Sequence, residues 1–279
     1  MPISRAARIT RTAISPRLAT RIFFSTGDYL APMDLAGANQ LGRWLVKSVA
    51  ETGSTNTDLV AAAHSGAPDG LVLRADHQIA GRGRRDRTWE APSGQNLLVS
   101  ILFRTGEHPG LTPGDLVRCV SLAAIVACRS TTGVELVIKW PNDLLLDGTK
   151  IAGVLAQSGA TTHGGFTVVG LGLNIGWSPP GAASLRDATA RLPSPHDLCA
   201  ALLGALDAVL PLGSEALHDE YCTHLATIGN RVRAITDAGE ITGHAVAVER
   251  DGRLVVLDEC AITHRLDTAE VVHLRAASP

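Results

Sequence analysis

Polar and apolar positions fall into two regimes along the chain. From about Ser54 to Ala226 the apolar residues recur at helical spacing or in short continuous runs, whereas beyond Gly229 they alternate over short stretches. Ser54 or Thr55 predicts the start of a helix whose apolar side carries Leu59, Val60 and Ala63 and which Gly66 can end. Residues 71–75 and 97–103 read as strands, the second strongly apolar. Pro113 and Asp115 open a long helix through Leu116, Val120, Ala124 and Ala127, closed by Gly133. A strand is expected over 136–140, a hairpin about Asp147-Gly148 leading into an apolar strand at 151–155, and another strand at 166–170. Ser194-Pro195 begins a helix that buries Leu198, Leu202 and Leu206, and a second helix is expected over 214–226. Short strands near 232–236, 241–248, 254–257 and 270–274 follow, punctuated by Ala238-Gly239 and Asp251-Gly252. The pattern therefore predicts a mixed core of helices and strands with a small β-barrel of about 45 to 50 residues behind it.

Composition narrows this picture without redrawing it. The chain has 279 residues, 45% of them hydrophobic, and a formal net charge of −2. It is long enough for a sizeable core. No apolar run approaches the roughly 18 residues that span a bilayer, since 198–212 is interrupted by Asp207 and Pro211, so no membrane partner is expected. The five cysteines are scattered and lack a C-x-x-C pair, and the histidines lack metal-ligand spacing; neither disulfides nor a structural metal are expected, and a reducing, cytoplasmic setting fits. The first 27 residues hold five arginines and no acidic side chain, which predicts a disordered basic tail over 1–40 in preference to a targeting segment.

Four stretches could carry chemistry: "GSTNTD" at 53–58, "GRGRRDR" at 81–87, "KWPNDLLLDGTKIAG" at 139–153 and "GLGLN" at 170–174. Glycines 81 and 83 let the backbone adopt positive φ and aim successive N–H groups outward, and Arg82, Arg84, Arg85 and Arg87 add forked donors suited to phosphate or carboxylate. A solvated charged turn and a single RGG-type RNA contact are the plainer alternatives. An RNA-binding segment normally comes in repeats on a basic domain, and this chain has one copy and a pI near 6.5. Neither a P-loop nor a G-x-G-x-x-G fingerprint is present, so a nucleotide would have to be held some other way. Lys150 beside an apolar strand could simply snorkel outward, and Asn174 could cap a turn.

Together, S-T-N-T after a glycine, Q-x-x-G-R-G-R-R-x-R-x-W, K-W-P-N-D with K-x-x-G shortly after, and G-x-G-x-N closely resemble biotin protein ligases, over residues 49–275. The resemblance implies an α+β fold: a mixed sheet with helices, related to biotin/lipoyl ligases and class II synthetase cores, over 41–228, and an SH3-like domain over 229–279. It implies formation of biotinyl-5′-AMP from biotin and ATP with Mg²⁺, then transfer to one lysine of a biotin carboxyl carrier domain of an acyl-CoA carboxylase. By the same resemblance Ser54, Thr55, Asn56, Gln78, Gly81, Arg82, Gly83, Lys150 and Gly153 bind biotin. Arg84, Arg85, Arg87, Trp89, Asn142 and Asn174 hold the adenylate, with Arg84 and Lys150 as the catalytic pair, Gly172 giving backbone clearance, and Asp143 orienting phosphate or Mg²⁺. Lipoate or octanoate ligases share the fold but match these motifs less well. A homodimer is compatible with the family; DNA binding is not expected, because no helix-turn-helix pattern precedes residue 49. Asp86 stands where the family often has glycine, which bears on how firmly the adenylate is retained.

Overall fold

The computed structural model describes residues 33–85, 87–267 and 269–274. The expected tail over 1–40 lies mostly outside them, as does Asp86. One correction applies at the tail's end: Asn39 and Gln40 open a strand, β1 (Asn39–Leu41), paired antiparallel with β2 (Trp44–Thr52). Neither strand was expected, because β2 lies near the sheet edge with most of its residues half-buried or exposed, which blurs the alternation.

The other expected elements form near their anticipated ends, except that β7 runs on well past residue 155: α1 (Thr55–His64), β3 (Leu71–Gln78), β4 (Leu97–Arg104), α2 (Pro113–Thr132), β5 (Val137–Lys139), β6 (Asp143–Leu146), β7 (Thr149–Thr161), β8 (Gly164–Leu173), α3 (Pro195–Val209) and α4 (Gly213–Thr223). Local chemistry explains the boundaries. Thr112 and Asp115 form a reciprocal cap ahead of Pro113, and Gly133 ends α2 at φ +74. Asp147 at φ +47 and Gly148 at φ +79 make the tight turn between β6 and β7.

Eight strands lie in the order β1-β2-β3-β4-β8-β7-β6-β5. Among the described residues only β2 and β3 run parallel in this sheet, with α1 as their crossover; the remaining pairs are antiparallel. Alternation along β4 divides the core. Val99, Ile101 and Phe103 join α2 and α3 on one face, whereas Leu102 joins Leu59, Val60, Ala63 and Phe166 under α1 on the other. Helix α1 has ten residues, too few to cover its face. The bare remainder is floored by glycines that pair across strands: Gly153 opposite Gly172, and Gly170 opposite Leu155 and Ser100.

By length and composition the stretch Pro195–Thr223 could cross a membrane. In the fold Gly213 at φ +73 separates α3 from α4, and Leu198, Leu202, Leu203 and Leu206 are buried core residues.

The C-terminal unit is an antiparallel sheet of the SH3-like kind, ordered β12-β11-β10-β9-β13. Its strands are β9 (Arg231–Thr236), β10 (Gly239–Val248), β11 (Leu254–Asp258), β12 (Thr263–Leu266) and β13 (Glu270–His273). The polar strand β12 was not expected. Arg118 of α2, buried beside Asp115 and stacked on Tyr221, donates to the carbonyls of Arg250 and Glu249, and Trp140 Nε1 donates 2.9 Å to the Gly252 carbonyl. These bonds seat the small unit against the core near Trp140.

Candidate active site

A cavity of about 310 Å³ opens over the glycine floor, between the first turn of α1, the arginine loop, the segment from Lys139 to Asp143, and β13. All the residues expected to bind ligand line it except Gly81. Gly81 serves the loop itself. Trp89 donates its N–H 3.0 Å to the Gly81 carbonyl, and a Cβ on Gly81 would stand 2.3 Å from the Trp89 carbonyl oxygen. With Gly83 N–H donating 2.7 Å to Arg87 O and a bridge between Arg82 and Thr88, the arginine stretch is tied into a narrow hairpin; neither Gly81 nor Gly83 takes the expected positive φ, and the Gly83 N–H is spent within the loop and does not point outward.

At one end the α1 terminus presents buried Ser54, Thr55 and Asn56. The Thr55 backbone N–H and hydroxyl both donate to Gln78 Oε1, at 2.8 and 3.0 Å. Ser100, fully buried in β4, lies 2.7 Å from Thr55 Oγ1 and 2.6 Å from Asn56 Oδ1, and Asn56 Nδ2 donates 3.1 Å to Leu155 O. Gly170 has no room for a side chain, since its Cβ would meet Asn56 Oδ1 at 2.1 Å. This end is a rigid, neutral hydrogen-bonding cluster on a helix N-terminus, suited to a small polar head group.

The other end is cationic. Arg84 Nη1 donates 3.0 Å to Asn142 Oδ1, and Lys150 Nζ pairs with Asp143 Oδ1 at 2.7 Å. Two neighbouring residues after Pro141 thus anchor the two cations. Burial first, and the Arg85 charge second, push the Arg84 guanidinium below its ordinary value, while Asp143 pulls it back. Such a group gains from an arriving anion. Trp89 covers the floor between the ends. A Cβ on Gly172 would lie 2.4 Å from Trp89 Cε2, Lys150 Nζ sits 5.7 Å from the ring centroid, and the buried Trp89 Nε1 has no hydrogen-bond partner among the described residues. The expected glycine clearance at 172 is therefore first a clearance for this indole.

Asn174, 1% exposed, accepts 3.0 Å from Asn96 Nδ2 and donates 2.9 Å to Ala183 O while lining the cavity. Arg85 and Arg87 face the C-terminal unit: Arg87 pairs closely with Glu270, Arg85 Nη1 is 4.0 Å from the same carboxylate, and Arg85 Nη2 donates 3.3 Å to Ile235 O. Lys139 and Gly170, inside the marked stretches but given no individual role, line the cavity; Glu270, which also lines it, was missed, and so was Ser100 beneath it. The lone serine in the apolar run "LLVSILF" was a readable signal; nothing local marks Glu270.

The fold and this cavity define a protein of the biotin and lipoate ligase class. The model of the Biotin/lipoate A/B protein ligase family matches residues 49–174, and that of the Biotin protein ligase C terminal domain matches 227–274. A biotin--[acetyl-CoA-carboxylase] ligase of Mycobacterium tuberculosis is 38% identical over 239 residues, covering 81% of this chain and 88% of the relative. The enzyme of that name from Paracoccus denitrificans is 30% identical over 222 residues, 75% and 92% of the two chains. In fold, a biotin protein ligase from Aquifex aeolicus, solved with biotin and ATP, superposes with a TM-score of 0.69 at 23% identity, covering 83% of this chain and 99% of that one. The chain belongs to the biotin protein ligase family.

Proposed function

We infer that this protein is a ligase that activates biotin with ATP and passes the biotinyl group to a lysine of a carrier domain. One observation carries the reading: Arg84 and Lys150 are held on adjacent residues at the cationic end of a cavity whose other end is neutral and prearranged. In the first step a carboxylate oxygen of biotin attacks the α-phosphorus of ATP, and the bond to the β-phosphate oxygen breaks, releasing pyrophosphate. Two anions must meet, so fixed positive charge where negative charge accumulates lowers the barrier. Thr55 and Gln78 orient the ureido head, Arg84 grips the phosphate, and Lys150 exchanges Asp143 for the biotin carboxyl and neighbouring phosphate oxygens. Trp89 covers the adenine face, and Asn174 uses its remaining amide valences on the base edge. In the second step a lysine ε-amine attacks the acyl carbon, AMP leaves and the amine loses a proton; no nucleophile from this chain is needed.

The relatives' names give acetyl-CoA carboxylase as the protein acted on, which supports a carrier domain of an acyl-CoA carboxylase as the acceptor here, and a cytoplasmic setting accords with that partner. Mg²⁺ fits the site in a limited way. Among the described residues no three acidic, histidine or cysteine side chains converge on an ion, but Asp143 offers one carboxylate, and Mg²⁺ commonly takes one or two carboxylates plus substrate phosphates. When bound it would screen the phosphates and stabilise the departing pyrophosphate. Biotin-dependent exchange of labelled pyrophosphate into ATP tests the reading. Exchange driven by lipoate and not biotin, or by neither, would overturn it.

A further inference from the structure

Arg85 and Arg87 belong to the loop assigned to the adenylate, yet the carboxylate that meets them lies in the C-terminal unit. Glu270 opens β13, pairs closely with Arg87 and stands 4.0 Å from Arg85. Ala269, Glu270 and Val271 line the cavity themselves, so β13 forms part of its wall. A second tie, from Arg85 Nη2 to the Ile235 carbonyl, reaches the neighbouring strand β9. Arg85 has φ +54, so the loop turns through a backbone conformation that non-glycine residues seldom adopt and that its flanking contacts must hold. The frame carrying Glu270 is itself fixed, because Arg118 and Trp140 bind the 249–252 turn of the same unit. Glu270 is held below the ordinary carboxylate value, chiefly by the hydrogen bond from Arg87.

We propose that Glu270 is a positioning residue: the C-terminal unit latches the arginine hairpin over the cavity through this carboxylate and thereby slows escape of the acyl-adenylate. The proposal rests on the ligase reading above for its consequence, not for the latch itself. The pair is partly solvent-exposed, with side chains 62% and 37% accessible, so it acts as a modest and releasable restraint.

The test uses the full chain. In ligand-free protein, Glu270→Ala should speed hydrogen exchange of the backbone amides of residues 81–89 by about two- to fivefold, the range of an exposed ion pair. Glu270→Gln, which keeps the shape, should do the same. Rising salt should erase the parent's protection and leave the variants unchanged. The double change Arg87→Glu with Glu270→Arg should restore protection. With biotin and ATP supplied, release of biotinyl-5′-AMP should quicken in the same proportion. Equal loop exchange in parent and both single variants at low salt would overturn the latch. A parent lacking biotin-dependent pyrophosphate exchange would instead sink the ligase reading, while the amide measurement still decides the latch.

Discussion

At the residue scale, the site depends on a few side chains whose placement is set by what they touch. Lys150 bridges the expected positions of carboxylate and phosphate, so Lys150→Ala should slow adenylate formation by about 10²–10³ while biotin affinity changes far less. Pyrophosphate exchange alongside equilibrium biotin binding checks this, and an unchanged exchange rate would remove Lys150 from the chemistry. Gly172 makes a different demand. A side chain there would collide with Trp89 at 2.4 Å, so Gly172→Val should displace the indole and raise KM for ATP about tenfold, within the range of a lost base-stacking contact. A KM equal to the parent's would mean Trp89 does not cover the base. These residues were legible because they sit in compact motifs, where Lys150, Trp89 and the glycines fall within short windows. Glu270 was not: its partner Arg87 is 183 positions away, and a glutamate beginning a short strand looks like any solvated one.

At the scale of elements, legibility followed burial. Helix α2 announced itself by its cap, its proline and its closing glycine, and β4 by an unbroken apolar run. Strands β1, β2 and β12 escaped because their residues are largely exposed or half-buried, leaving no face for the pattern to mark. Strand β13 carries a further consequence. His273 lies 3.2 Å from Thr227 Oγ1, which accepts from the Trp140 N–H, and burial first, then the Lys139 charge, hold its pKa below the ordinary 6.5. The unfolded chain therefore binds this proton before the folded one does, so stability is unaffected above about pH 6.5 and declines as pH falls below it toward the folded value. Melting curves at pH 7.5 and 5.5 should show a smaller drop for His273→Gln than for the parent. Equal drops would mean that this histidine titrates alike in both states.

At the scale of the whole molecule, two units share one wall of one cavity. The sequence changes from helical spacing to short alternation near Gly229, but no periodicity says how two folded pieces face each other. That relation is set by side chains such as Arg118, 4% exposed, which serves Asp115 within its own helix and two carbonyls across the interface. Arg118→Ala leaves a buried carboxylate short of its partner and should cost about 3 kcal/mol or more in urea denaturation. A loss under about 1 kcal/mol would show that Asp115 is satisfied by its capping bonds alone.

The pairing of Lys150 with Asp143 has a last implication, for discrimination. A vacant pocket lined with naked cations would be a trap for any passing acetate or inorganic phosphate. Here the lysine already has a tethered counter-charge, so a lone simple anion gains little by displacing it. A solute that fills the neutral end and also supplies negative charge at the cationic end adds contacts at both ends to what it gains at Lys150, so it displaces the resident carboxylate more readily than a lone anion does.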